Sequence, residues 1–267
     1  MISMKKLLVL VVVFLSVVIA SPVLAAHEAS GAKEAAQTPE ASEVPERDGT
    51  YDEPTARGFV KVRVIVHKQK AQAVQNLLVC DLSDPDSTAQ VSAAGWYLPS
   101  SWTYNLNVNS VPSSVSGANL PTIASKAFGD WQSAVGGKVS FSRGSNTTVD
   151  RSRYDLKNIV AWGRTSGSSL GVTYIRYLTL SGLVVDVDTI MNKRVPWSWS
   201  NSDTCANTNS YDAENILNHE IGHWMGLDDH YDTAYQNNTM YGYGSKGEVK
   251  KNTLTTGDIA GAAAIYP

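Results

Sequence analysis

The sequence predicts an α/β (α+β) domain in which a twisted, mixed five-stranded sheet packs against a few helices. Two observations predict this class. Short apolar segments bounded by turn residues recur along the chain, and amphipathic segments with helical spacing lie before and after them. The composition agrees, because 43% hydrophobic and 18% charged residues in a chain of 267 suit one globular domain with appendages.

The first 26 residues have the three parts of a secretory signal peptide. Lys5 and Lys6 precede an apolar run at 7–20, and small residues follow it. We expect cleavage after Ala25 or Ala26, because the run is shorter than the roughly 20 residues that a bilayer span needs. The alternative is an uncleaved anchor. The mature protein is therefore expected to be secreted, with no later membrane span.

Residues 27–90 are predicted to be a disordered linker and a propeptide. The part at 27–58 is rich in Ala, Glu, Pro, Thr and Ser, with almost nothing large and apolar to bury. Residues 59–66 then alternate between valines on one face and Lys61 and Arg63 on the other, and residues 71–79 follow, which predicts a small strand-plus-helix or two-strand unit. A polar turn segment at 81–87 marks a boundary, so the main domain is expected at 91–267.

The main domain is predicted to have the order strand, helix, four strands, helix, helix. Apolar residues recur at helical spacing from Leu120 to Val135, before Gly136, and so predict an amphipathic helix. Strands are predicted at residues 102–108, 138–142, 158–162, 172–178 and 183–191. Short strands interspersed with a few helices favour a mixed sheet with helices packed on it.

The helix predicted from Tyr211 to Met225 carries the residues of a metal site. His219 and His223 are four residues apart, so both imidazoles point from one face, with Glu220 beside them. A catalytic zinc ion uses three protein ligands and a water, and Glu220 can act as the base for that water. The alternative is two histidines that share a helix face without a metal.

From His219 to Asp229 the sequence resembles the elongated zinc signature of the metzincin metalloproteases. In that signature a glycine, here Gly226, lets the chain turn, and a third ligand follows. The common third ligand is histidine, but Asp229 stands at this position, as in the snapalysin-like variant, and carboxylate oxygen can bind zinc. His230 is the alternative, since a one-residue bulge would bring its nitrogen to the metal. The resemblance therefore implies zinc held by His219, His223 and one of these two residues.

The resemblance extends towards the C-terminus and implies a metzincin-like catalytic domain. The segment around Met240 is similar to the Met-turn beneath the metzincin zinc site. Thr255 and Asp258 cap a last helix that closely resembles the C-terminal helix of matrixins. Tyr231 and Tyr243 are candidates for a phenol that steadies the tetrahedral intermediate, although a structural role fits each of them as well.

The resemblance also implies how substrate and further ions bind. A protein or peptide substrate is expected to pair as an extended strand with residues 172–178, an exposed edge strand. Residues 241–252 would wall the pocket for the side chain after the cleaved bond. Asp186 and Asp188 are candidates for a calcium site of the kind found in matrixins. We expect the protein to be a monomer.

The two cysteines, Cys80 and Cys205, allow one disulfide in an exported protein. The alternative is a latent form in which Cys80 ligates the zinc, as the propeptide cysteine of matrixins does. The residues that flank Cys80 differ from those of that switch, which favours the disulfide.

The sequence thus predicts a secreted zinc endopeptidase, made as a zymogen, that hydrolyses peptide bonds of extracellular proteins. Two alternatives use the same residues. One is an extracellular binding protein with a zinc site and no turnover, and the other is a zinc amidase acting on a non-peptide amide. A net charge of −3 without a long basic run gives no electrostatic footprint for nucleic acid.

Overall fold

A computed structural model describes residues 44–56, 58–70 and 78–267. The predicted signal peptide, the linker as far as residue 43 and the segment 71–77 lie outside the described residues. Within the described part of the chain, no helix has the length and apolar character needed to cross a membrane.

Most of the strands form one mixed sheet. Among the described residues it has eight strands: β1 Gly49–Thr55, β2 Gly58–Gln69, β3 Ser101–Leu106, β4 Ser140–Asn146, β5 Ile159–Gly163, β6 Ser169–Tyr177, β7 Val184–Asn192 and β8 Tyr243–Gly244. Their order is β1, β2, β6, β7, β5, β3, β4, and β8 pairs with β2. The pairs β3–β4, β3–β5, β5–β7 and β2–β8 are parallel, and the other three are antiparallel. The predicted fold class is confirmed.

Five of these strands, β3 to β7, overlap the five strands predicted for the main domain. The other three make the sheet larger than the five strands predicted. β1 and β2 form a hairpin with Thr55 opposite Gly58, so the expectation of a disordered tether is wrong for residues 49–55. Their polar composition is tolerated because pairing with β2 satisfies the backbone of β1. The position of the propeptide boundary stays a prediction.

Three α-helices are described: α1 Leu120–Ala134, α2 Ala213–Trp224 and α3 Thr256–Ile265. α1 buries the face that its periodicity predicts and ends before Gly136, which has a positive φ. α2 begins at Asp212, whose side chain accepts hydrogen bonds from the backbone N–H groups of Glu214 and Asn215. Every residue of α2 is buried, so this helix runs through the core.

Apolar side chains pack on both faces of the sheet. One cluster joins the sheet to α1 and α2, where Phe128 stacks on Tyr104 at a centroid distance of 3.9 Å and contacts Trp224 edge-on. The second cluster is smaller and combines three valines of β2 with residues of β5, β6 and β7: Val60, Val62, Val64, Ile159, Ala161, Val172, Tyr174 and Ile190. Because alternate residues of a strand face opposite sides, β2 contributes to both clusters.

Candidate active site

Two histidines of α2 face a common point. His219 Nε2 and His223 Nε2 are 3.2 Å apart, and both side chains are fully buried. The other ring nitrogen of each lies against a backbone carbonyl, at 2.7 Å for His219 Nδ1 and Thr239 O and at 2.9 Å for His223 Nδ1 and Leu227 O. An imidazole whose Nδ1–H donates to a backbone carbonyl can present the lone pair of Nε2 to a metal.

A third donor atom beside the histidines belongs to Asp229. Its Oδ1 lies 3.1 Å from His219 Nε2 and 3.5 Å from His223 Nε2. The turn that brings Asp229 there requires glycine. Gly226 has a φ of +92°, and a Cβ on it would lie 2.3 Å from Trp96 O.

The two residues after Asp229 make different contacts. His230 Nε2 accepts a hydrogen bond of 3.0 Å from the Ser92 N–H, and its ring stacks on Tyr235. Tyr231 donates its phenol hydrogen to Asp229 Oδ2 at 3.0 Å. Asp229 therefore lies with both histidines while His230 is engaged elsewhere. Which of the two ligates a metal stays a prediction, as does a catalytic role for Tyr231.

These donors fit zinc. Two imidazole nitrogens and one carboxylate oxygen, all within 3.5 Å of one another, are the number and type of ligands that catalytic zinc sites use. Asp229 Oδ1 is buried and accepts no hydrogen bond from the described residues, so a cation is the partner that suits it. Burial lowers the pKa of His219 to about 4, which keeps this imidazole neutral and able to ligate.

Glu220 is fully buried next to these donor atoms. Its Oε1 lies 3.2 Å from His67 Nδ1, and its Oε2 accepts a hydrogen bond of 2.5 Å from the Thr173 hydroxyl. Thr173 lies on β6 and is itself bonded to Thr189 of β7 at 2.7 Å. Burial raises the pKa of Glu220 to about 7, so this carboxyl can take up and release a proton near neutral pH.

Met240 lies beneath α2, where the sequence predicts the Met-turn. The side chain is fully buried, and a Cβ on Gly222 would lie 2.1 Å from its sulfur. Asp258 of α3 accepts hydrogen bonds from the backbone N–H groups of Thr239 and Met240, at 2.8 and 3.2 Å. Because Thr239 O also contacts His219, the last helix fixes the orientation of that imidazole.

β2 crosses the site. His67 on this strand is fully buried, and its ring stacks on His219 with a centroid distance of 3.8 Å. β2 pairs antiparallel with β6 over residues 61–68. Residues 172–178 are therefore no exposed edge strand in this structure, and that expectation is wrong, because a segment N-terminal to the predicted main domain covers the edge.

Lys251 lies at the far side of the His67 ring. It is fully buried, and its ammonium donates to Tyr241 O at 2.6 Å and to Tyr243 O at 3.0 Å, with His67 Nε2 at 3.3 Å. Burial holds the pKa of His67 well below its usual value, so the ring is neutral. His67 Nε2 accordingly accepts from Lys251, and Nδ1–H donates to Glu220.

Sequence reasoning missed His67, Thr173 and Lys251. The sequence contains one signal for His67. Lys61 and Arg63 mark one face of this strand as polar, but Ile65 lies on the same face and is apolar. Ile65 and His67 are both buried in the structure. A threonine in an apolar strand carries no such signal. Lys251 follows Lys250 in the sequence, which is typical of a solvated surface, and only the tertiary fold buries it.

The family assignment follows from residues 95–267, which match the family model described as matrixin. The matched region is more than half of the chain and includes α2, Asp229, Met240 and α3. The chain belongs to the matrixin family. The resemblance to metzincins that the sequence analysis describes is thereby confirmed. As a member of this family, the protein is a metallopeptidase. Among curated proteins, none matches this chain significantly.

The two cysteines of this matrixin form a disulfide. Cys80 and Cys205 have their Cα atoms 4.0 Å apart, and the adjoining residues 78–79 and 206–207 pair antiparallel. A sulfur held in a disulfide has no thiolate to offer a metal. The geometry therefore favours the disulfide over Cys80 as a zinc ligand.

The two aspartates proposed for calcium bind an arginine instead. Arg176 Nη1 lies 2.8 Å from Asp186 Oδ1 and 3.1 Å from Asp188 Oδ2, and its Nε donates to Glu53 Oε2 at 2.6 Å. All four side chains are buried. Because the guanidinium already lies between the carboxylates, a calcium site at this pair is not supported.

Proposed function

We propose that this matrixin is an extracellular zinc endopeptidase in which His219, His223 and Asp229 hold the ion and Glu220 is the general base. One observation carries the proposal: three donor atoms of the types that zinc prefers converge within 3.5 Å of one another, next to a fully buried glutamate. His230, the alternative third ligand, is held by Ser92 and Tyr235.

Zinc bound here would lower the pKa of a water molecule and polarise the substrate carbonyl. Glu220 takes the proton of the attacking water and transfers it to the departing amide nitrogen. A pKa of about 7 suits both halves of this task. Thr173 holds Oε2 of Glu220, and Oε1, which His67 occupies here, would take the proton once β2 leaves the site.

The substrate in this proposal is a protein segment bound as an extended strand between β6 and β8. β2 supports it, since this strand lies antiparallel to β6 and parallel to β8. Lys68 N and Lys70 N donate to Gly242 O and Gly244 O, at 3.4 and 2.9 Å. In this proposal β2 belongs to the propeptide, and the chain shown is the latent zymogen. An extracellular location rests on the signal sequence, which lies outside the described residues.

The decisive experiment is digestion of a peptide library by the zinc-loaded protein after removal of the proposed propeptide, and by the Glu220→Gln variant treated in the same way. We expect chelation to abolish cleavage, and Glu220→Gln to lower kcat by about 10²–10⁴-fold, because the general base is lost while the zinc ligands remain. Zinc content is measured in parallel. Zinc binding without turnover in the processed wild type would contradict the proposal and indicate the inactive zinc protein. Cleavage restricted to non-peptide amides would indicate the amidase.

A further inference from the structure

Two residues of β6 enclose the carboxylate of Glu220. Gly171 and Thr173 are two positions apart on this strand, so both point to the same side of the sheet. A Cβ on Gly171 would lie 2.7 Å from Glu220 Oε1, and the Thr173 hydroxyl donates to Glu220 Oε2 at 2.5 Å. The carboxylate therefore fits between a position without a side chain and a hydroxyl group.

The Thr173 hydroxyl belongs to a chain of three hydrogen bonds. Thr173 Oγ1 and Thr189 Oγ1 lie 2.7 Å apart, on residues directly opposite each other on β6 and β7. Trp224 Nε1 donates to Thr189 Oγ1 at 2.9 Å. Trp224 and Glu220 are four residues apart on α2, so this hydrogen-bond chain starts and ends on one face of the helix. All four side chains are fully buried.

The two ends of the hydrogen-bond chain fix its direction. An indole N–H can only donate, and an ionised carboxylate can only accept. Thr173 therefore gives its hydrogen to Glu220, and Thr189 gives its hydrogen to Thr173 while it accepts from Trp224. Without the indole N–H, Thr189 could accept from Thr173 instead, and the carboxylate would lose its donor.

The hydrogen-bond chain is independent of β2. Its members lie on β6, β7 and α2, whereas the contact of Glu220 Oε1 with His67 Nδ1 comes from β2. Among the described residues, His67 and Thr173 are the two whose side chains hydrogen-bond this carboxylate. Once β2 leaves the groove, Thr173 would remain to orient Glu220, with Oε1 free on the side that β2 occupied.

We propose that Thr189 and Trp224 are positioning residues, which act through Thr173 on the general base Glu220. The inference rests on the proposed endopeptidase function and names residues on which its base depends. A carboxylate held at one oxygen keeps the other in a fixed place. The position matters, because misplacing a catalytic group by about 1 Å can cost about 10²-fold in rate.

The first test measures peptide hydrolysis by the zinc-loaded protein after removal of the proposed propeptide. We expect Thr173→Val to lower kcat by about 10²-fold with KM unchanged, because valine keeps the shape of threonine and lacks the hydroxyl. Thr173→Ser retains a hydroxyl and should recover most of the rate. Thr103→Val is the matched control, since it removes a hydroxyl from a cross-strand pair with Ser142 on β3 and β4. A wild-type kcat in Thr173→Val would overturn the proposal.

A double-mutant cycle tests whether Thr189 acts through Thr173. Thr189→Val should lower kcat less than Thr173→Val does, because Thr173 still reaches Glu220 but has lost the partner that directs its hydrogen. In the double variant kcat should equal that of Thr173→Val alone, since the connection between Thr189 and the base is already broken. Losses that multiply would show that Thr189 acts independently, and would overturn its positioning role.

The third test needs no catalysis and follows the indole N–H signal of Trp224 in the NMR spectrum of the zinc-free full-length protein. Thr173→Val removes the acceptor of the Thr189 hydrogen, and bonds in such a chain polarise one another. We therefore expect the indole proton to shift upfield, although the indole bonds to Thr189 and not to Thr173. Thr103→Val should leave the signal unchanged. An unchanged signal in Thr173→Val would overturn the role of Trp224.

The inference and the proposed function fail in different ways. An active wild type whose Thr173 and Thr189 valine variants keep kcat would refute the positioning role alone. A zinc-loaded, processed wild type without turnover would refute the proposed function, whatever the indole signal shows.

Discussion

At the scale of single residues, Asp229 has the most constrained environment of the site. Burial disfavours its charge, but the neighbouring His223 holds the pKa of Asp229 well below its usual value. Tyr231 donates to the carboxylate oxygen that faces away from the histidines. Burial and the charge of Asp229 raise the pKa of Tyr231, so the phenol stays protonated and always donates. The geometry therefore suits Tyr231 to orienting the carboxylate of Asp229.

Replacing Tyr231 by phenylalanine should weaken zinc binding without disturbing the fold. Removing a partner that orients a metal ligand typically costs about 10–100-fold in affinity, and we expect a loss in that range for Tyr231→Phe. Competition with a chromophoric chelator measures it. Tyr243→Phe is the matched control, because its ring contacts Tyr231 at 5.0 Å between centroids without bonding Asp229. Equal zinc affinity in wild type and Tyr231→Phe would exclude the orienting role.

At the scale of elements, α2 is held by close contacts on every side. Trp131 Nε1 donates to Asn218 O at 2.9 Å, and Trp96 Nε1 donates to His223 O at 2.8 Å. Gly222 lets the helix approach Met240 and Trp131, since its Cβ would lie 2.1 Å from the Met240 sulfur and 2.8 Å from Trp131 Cζ2. The position of His219 and His223 therefore depends on the absence of a side chain at residue 222.

Gly222→Ala should destabilise the zinc-free protein by about 1–3 kcal/mol, because overpacking a filled core displaces its neighbours. Urea unfolding in the presence of a chelator measures the free energy of unfolding. Gly129→Ala provides the control in α1, where a Cβ meets nothing within 4 Å. There the higher helix propensity of alanine should stabilise the protein by up to about 1 kcal/mol. Destabilisation of both variants by the same amount would contradict this account of Gly222.

The elements that the sequence predicts best are those with local signals. α1 and the strands β3 to β7 have periodicity and bounding turns, and the histidine spacing on α2 predicts the centre of the site. Pairing between distant segments has no local signal. The alternation at 59–66 shows that β2 has a buried face, but not that it lies against β6. For the same reason Thr173 and Lys251, which reach the site across the fold, could not be identified from spacing.

At the scale of the whole molecule, β2 has two roles. It fills the groove between β6 and β8, and its side chains form part of the core. Val60, Val62 and Val64 pack against β5, β6 and β7 on one face of the sheet, and Ile65 joins the main core on the other. β1 adds Glu53, which binds Arg176 of β6 at 2.6 Å. Release of the N-terminal segment would expose apolar surface and leave this arginine with two carboxylates instead of three.

The proposed role of β2 as part of the propeptide predicts that weakening its packing raises the activity of the full chain. Val62→Ala removes buried methyl groups at an interface that only the docked strand makes, and a loss of about 1.4 kcal/mol raises the released population tenfold. Peptide hydrolysis by the zinc-loaded full chain should rise in proportion to β2 hydrogen exchange. Val187→Ala deletes the same atoms from the main core and should lower global stability without raising hydrolysis. If hydrolysis stays at the wild-type rate in Val62→Ala while β2 exchange increases, this strand does not control access to the groove.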